Sequence, residues 1–242
     1  MDISANYRKL EVHEVADAVQ RYGDAWKDET IPKMQYELAV KPELEKFRRG
    51  GRVAPFDALL QCLYRIPFSS SRWSILDVGA SSAFYSEVIE IGGLRYRYHA
   101  IDFSPAFQRL AAELYPHIPF DVGDARELPY PDGTFDVVLS GACMIHTPEY
   151  PKIVAEATRV AKSCVILHRT PVLTERPTEY WVKDAYGIPC VEIHFNEAEL
   201  FGLFEQFGLT RVWTTDVFFD EVQGFGHREY LLRKEPVVHQ GL

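Results

Sequence analysis

Apolar positions along this chain follow three regimes. Over residues 1–70 they recur at helical spacing. Leu10, Val15, Val19 and Tyr22 form one stripe, and Phe56, Leu59, Leu60 and Leu63 form another. Pro32, Pro42 and Pro55 divide the region into short helices, each proline being tolerable near a helix start. This pattern predicts an N-terminal helical cap. From about 73 to 170, short apolar runs alternate with amphipathic stretches. Strands are expected at 74–78, 96–101, 119–122, 135–140 and 164–168, and helices at 84–91, 105–115 and 148–160. Ser104-Pro105 and Thr147-Pro148 read as helix starts, a capping hydroxyl before a proline. Strand–helix alternation of this kind makes a parallel sheet with right-handed crossovers. The short apolar runs at 75–78 and 137–139 suit strands covered on both faces, apart from Asp77.

Residues 171–195 lose the period. Pro171, Pro177 and Pro189 interrupt a segment holding Tyr180, Trp181 and Tyr186, so a long, ordered, lid-like loop is expected. Asn196 then caps a helix running to Phe207, with Glu199 in the capping-box position and Gly208 as the stop. The runs 210–218 and 227–232 read as a final hairpin.

The chemistry concentrates at the ends of the expected strands, where doubly wound sheets bind ligands. The stretch 73–86, WSILDVGASSAFYS, is a strand, a tight turn and a helix start. A carboxylate at Asp77, two residues before Gly79, repels a pyrophosphate and favours a ligand carrying positive charge. The second strand ends in Asp102, which can accept both hydroxyls of a ribose or can cap the following helix. The third leads into Gly123-Asp124-Ala125, followed by the Pro131-Asp132-Gly133 turn and by Asp136, which orders that turn or the next strand start. The fourth leads from Ser140 to His146. That imidazole can take a proton from an acceptor hydroxyl or amine, or serve as a structural hydrogen-bonding group.

The ordered set Asp77-x-Gly79, Asp102, Asp124 and His146 resembles the motifs of class I S-adenosylmethionine-dependent methyltransferases, with a methyltransferase type 11-like domain. The resemblance covers about 73–170 and extends loosely to the last two strands. Ser81 and Ala83 stand where the family has further glycines. It implies an α/β fold: a doubly wound, Rossmann-like, mostly parallel seven-stranded sheet with an antiparallel C-terminal hairpin strand. This would form a cofactor-binding domain over 71–242, with 171–195 as an insertion. It also implies S-adenosyl-L-methionine as cofactor, held by Asp77, Gly79, Ala80, Ser81, Asp102, Phe103, Asp124, Ala125 and Ser140, with Asp124 on the adenine amino group. Methyl transfer to a small-molecule or glycan-type acceptor by direct displacement is the activity implied, with His146 as candidate base.

At the end of the fifth strand, His168 is a second candidate base. The planar fork of Arg169 can bind an acceptor carboxylate or phosphate, or pair with Glu175, Glu179 or Glu192. Tyr180, Trp181 and Tyr186 are candidate acceptor contacts or loop packing, and His194 reads as structural. A rival reading is a non-catalytic module that keeps the cofactor fold, which the missing glycines would favour. A nicotinamide-dependent oxidoreductase needs glycine at Ser81 or near Phe84, and neither is present.

Composition narrows the partners. A net charge of −9 argues against a bulk nucleic-acid binder. The basic cluster of Lys46, Arg48, Arg49 and Arg52 reads as solvated charge. No apolar run approaches the about 20 residues of a membrane span, and the charged start lacks a signal-peptide core. The four scattered cysteines, Cys62, Cys143, Cys164 and Cys190, show no metal-ligand spacing. A reducing cytoplasmic compartment, no metal and no membrane are expected.

Overall fold

The structure is a computed structural model that describes residues 4–66 and 73–235. Its frame is a sheet of ten strands, in the order β1-β7-β8-β6-β5-β2-β3-β4, with β10 paired to β6 and β9 to β10. Seven of these make the expected unit: β2 (Ser74–Val78), β3 (Arg97–Asp102), β4 (Phe120–Val122), β5 (Phe135–Gly141), β6 (Ala161–Leu173), β9 (Leu209–Asp220) and β10 (Phe225–Lys234). Within that unit, β10 is antiparallel to both of its neighbours, and the pairs among β2–β6 are parallel.

Both faces are covered, as the apolar runs require. Ile75, Val137, Leu139 and Ile166 pack on one side with Phe56, Leu59 and Leu63 of α4 (Ala54–Leu63) and Val88 and Ile89 of α5 (Tyr85–Ile91). Leu76, Val78, Val138, Val165 and Leu167 pack on the other with α7 (Tyr150–Val160) and α8 (Glu197–Gln206). Adjacent positions point to opposite faces, so consecutive apolar residues feed two cores at once. Asp136 ties the sheet together at its start, its Oδ2 accepting the Ser74 N–H at 2.8 Å.

The other three strands correct the sequence expectations. Residues 171–195 are not a loop. β6 continues to Leu173, and β7 (Glu179–Ala185) and β8 (Ile188–Asn196) form an antiparallel hairpin. The strand period was masked because inward positions of β7 carry Glu179 and Lys183, each neutralised by a partner: Lys9 at 2.8 Å for Glu179, and Glu192 for Lys183. Pro171 is accommodated opposite His227 of β10, and Pro189 opposite Asp184. Residues 1–70 are not wholly helical either. β1 (Ser4–Lys9) pairs antiparallel with β7 as a mostly exposed strand, bulged near Asn6, whose φ is 55°. Polar, solvated edge strands carry no apolar alternation to read.

The remaining helices are α1 (Val15–Tyr22), α2 (Ile31–Gln35), α3 (Lys41–Arg48) and α6 (Pro105–Leu114), with a π-helical turn at Tyr36–Val40. Asn196 caps α8 as expected, accepting the Glu199 N–H at 3.0 Å. Ser104 does not use its hydroxyl as a cap; Asp102 accepts the Ser104 N–H instead, at 3.0 Å.

Candidate active site

A cavity of about 710 Å³ opens beyond the carboxyl ends of β2, β3 and β5, within the usual size range of small-molecule and cofactor sites. It is walled on its other sides by the N-terminal helices and by β6–β8.

The turn after β2 forms one wall. The N–H groups of Gly79 and Ala80 both donate to the Ile101 carbonyl, at 2.9 and 3.1 Å, clamping the turn to β3. Gly79 has φ 72°, and a Cβ there would stand 2.5 Å from the Cys143 Cβ, so only glycine fits. Ser81 and Ala83, at the expected glycine places, adopt φ 53° and 62°. The backbone therefore keeps the left-handed conformation with side chains present, at about 1–2 kcal/mol each. Ser81 also hydrogen-bonds Gln35 through its hydroxyl.

Asp102 faces this wall at the end of β3. Its two oxygens accept the N–H groups of Ser81 and Ser104, each at 3.0 Å. Burial pushes its pKa up to about 6, against the lowering pull of those bonds. Both expected roles are thus compatible: the carboxylate organises two loops and still presents lone pairs to the cavity it lines. Phe103, Asp124 and Ala125 line the same end, with Lys27 lying 5.3 Å from the Phe103 ring centroid. Asp124 is engaged by Arg126. It receives the backbone N–H at 2.8 Å, Nε at 3.0 Å on both oxygens, and Nη2 at 2.6 Å. Arg126 also reaches Glu149.

His146 reaches the cavity from the fourth strand's loop. Its Nδ1 lies 2.7 Å from the Val191 carbonyl, which can only accept, so Nδ1 carries the hydrogen and Nε2 is a free lone pair. Burial pushes its pKa down to about 4, so it is neutral at pH 7. The Trp26 ring packs against it, tilted, at 4.8 Å between centroids. Arg169 and Tyr186 complete the far wall, with Lys183, Glu192 and His227. Glu192 is held at about 2: burial would raise it, but His194 and Lys183 outweigh that.

Other expected site residues lie off the cavity wall. Asp77 is wholly buried beneath the Gly79 turn, where Tyr98 donates to it. Burial pushes its pKa up to about 7. Ser140 is buried in β5 beside Val78. His168 is fully buried, bound through Nδ1 to Glu229 and packed edge-on to Tyr85 at 4.9 Å. Trp181 packs near Tyr7 and His194, and Tyr180 packs against the core. The sequence reading passed over Lys183 and His227. They sit in strands whose polar inward positions hid them.

Residues 76–167 match a family described as a methyltransferase domain. They are a methyltransferase domain. Over 58 residues the chain is 50% identical to ajmaline N-methyltransferase of Rauvolfia serpentina, spanning 23% of this chain and 20% of that protein. Over 88 residues it is 35% identical to demethylmenaquinone methyltransferase of Renibacterium salmoninarum, 36% of each. The chain thus spans about a fifth to a third of the length of these curated relatives. The crystal structure of Burkholderia thailandensis 1,6-didemethyltoxoflavin-N1-methyltransferase, with bound 1,6-didemethyltoxoflavin and S-adenosylhomocysteine, has the same fold. It superimposes with a TM-score of 0.58 at 20% identity, covering 98% of both chains. The methyltransferase domain thus comprises β2–β5 and most of β6, with the Gly79 turn, Asp102, Asp124 and His146 inside it. Arg169, Lys183, Tyr186 and His227 lie beyond it. Among the described residues no helix is long and apolar enough to cross a membrane, and no cluster of three metal-ligating side chains occurs.

Proposed function

We propose that this chain transfers a methyl group from S-adenosylmethionine to a small-molecule acceptor. Asp102 carries the reading. It is a buried carboxylate at the end of the second parallel strand, fixed by two backbone N–H groups and open to the cavity beside a turn that only Gly79 can make. That donor set fits the cofactor: Asp102 would hold the ribose hydroxyls, Phe103 and the 124–125 segment the adenine, and the Gly79–Ser81 backbone the amino-acid end. The names of the matched relatives support a small-molecule acceptor, and a glycan-type acceptor belongs to the same proposal.

When bound, S-adenosylmethionine supplies a methyl carbon already activated by a sulfonium. The protein's work is alignment and exclusion of water, which can contribute roughly 7–11 kcal/mol when well achieved. His146 orients the acceptor by accepting a hydrogen bond from its N–H or O–H at Nε2. With a pKa near 4 it is a weak base, so it suits a proton that becomes acidic only as the acceptor atom gains its methyl. His168 is buried behind the cavity wall, against Tyr85, and takes no part in this scheme; it braces β6 against β10 through Glu229.

The test is calorimetric titration with S-adenosylhomocysteine, with NAD as control. Micromolar binding of the first alone is expected. Asp102→Ala should weaken it about 10–100-fold, as for loss of charge-assisted hydrogen bonds, while far-UV circular dichroism stays unchanged. Unchanged affinity in that variant would refute the ribose assignment.

A further inference from the structure

We infer that the acceptor is a small aromatic acid whose anionic group is received by Arg169; this rests on the methyltransferase reading above. The backbone aims this residue. Strand β6 pairs Leu167 with Tyr230 and Thr170 with Arg228, so His168 and Arg169 together face Glu229 alone. That is a β-bulge, and Arg169 takes φ 56° within it. Bulges re-aim side chains and occur beside active sites. A long, β-branch-free side chain held at positive φ is a strained choice. Here its outcome is a guanidinium in the cavity wall.

The charges around it are unequal. Among the described residues no carboxylate forms an ion pair with Arg169. Lys183, the other cation of this wall, is already neutralised by Glu192. His146 and His227 are neutral, each pushed down to about 4, His227 partly by Arg169 itself. The Arg169 guanidinium lies beside the Tyr85 hydroxyl and near Glu43, whose carboxyl burial shifts toward the neutral form. Glu43 and, across the bulge, Glu229 act on Arg169 only through space, so its fork, the geometry that matches a carboxylate, has no ion-pair partner among the described residues. An enclosed unpaired charge is costly, and an incoming anion relieves that cost. The aromatic part of the acceptor follows from the adjoining rings. Trp26 lies 4.8 Å from His146 and 6.5 Å from Tyr186, centroid to centroid, and all three line the cavity.

The experiment uses the full chain saturated with S-adenosylhomocysteine. It compares benzoate, 4-hydroxybenzoate and anthranilate with their primary amides, by thermal shift and calorimetry. The acids should bind at least tenfold tighter than the amides. Arg169→Gln should abolish that preference while S-adenosylhomocysteine affinity stays within twofold, and Arg169→Lys should keep part of it. If Arg169→Gln loses S-adenosylhomocysteine binding, the lysine variant decides alone: a full preference in it overturns the fork assignment. Acids and amides binding alike, no acid binding, or an undiminished preference in Arg169→Gln would each overturn the inference. None of these results touches the function reading, which fails if the wild-type protein does not bind S-adenosylhomocysteine or binds S-adenosylmethionine without transferring its methyl group.

Discussion

Asp102 titrates where few exposed aspartates do, and its charge is the feature a ribose would meet. Its pKa is raised from 3.8 to about 6 by burial. A raised carboxyl pKa makes the protonated form the favoured folded partner. Its contribution to stability is full below 3.8 and is lost as pH rises through about 6. His146 and His227 run the other way. Lowered from 6.5 to about 4, they contribute stability above 6.5 and lose it as pH falls through about 4. Ligand binding isolates the first effect. A protonated Asp102 cannot accept two ribose hydroxyls, so S-adenosylhomocysteine affinity should hold level from pH 8 to 7 and fall toward tenfold per unit below about 6. Calorimetry across that range checks it; a flat profile down to pH 5 would remove Asp102 from the site. At this scale the sequence was informative about polar groups after strands and poor about backbone. Asp102 and His146 were legible because they follow apolar runs. The left-handed Ala142, Arg169 and Tyr186 were not, because no residue type there signals positive φ, whereas Ser81 and Ala83 were marked by standing at the family's glycine places.

The hairpin of β7 and β8 turns on Tyr186 and Gly187, with φ of 53° and 83°. Two positive-φ residues between antiparallel strands make the type I′ geometry, which asparagine–glycine satisfies best. Tyrosine is a poor occupant for that turn, yet its ring is buried in the cavity wall. Tyr186→Asn should relieve the turn but open a cavity beside Ile31, Phe107 and Cys190, for a net loss of about 1–3 kcal/mol in urea unfolding, while raising the acceptor KM several-fold with S-adenosylhomocysteine affinity unchanged. An unchanged acceptor KM would show the ring to be packing alone. The same hairpin explains why a loop was expected. Its register depends on ion pairs, Lys183 with Glu192 and Lys9 with Glu179, and on an unusual turn residue. The parallel strands were legible because each is nearly all apolar. β7 hides its inward face behind charge.

One continuous sheet joins residues 76–167, which match the methyltransferase family, to the strands that lie beyond them. Strand β6 pairs with β5 as far as Gly141 opposite His168, then leaves it to pair with β8 at Val172 and Leu173. The bulge at Arg169 sits at that junction. The domain-like core was readable from periodicity; β1 was visible only once assembled, because its partner β7 lies about 170–180 residues away in sequence. Entry of a ligand into this assembly meets one further constraint. Arg126 holds Asp124 with three donors: its backbone N–H, its Nε shared between both oxygens, and its Nη2. If the adenine amino group takes the edge this guanidinium covers, the guanidinium must first swing toward Glu149, which it already touches. The arrival of cofactor should then be paced by the protein. In stopped-flow mixing, observed association rates should level off as S-adenosylhomocysteine concentration rises, and Arg126→Ala should restore a straight line. Linear rates in the wild-type protein would mean that the latch opens freely or that Asp124 is not the adenine's partner. A protein built this way sets its own tempo of loading, whatever the supply outside.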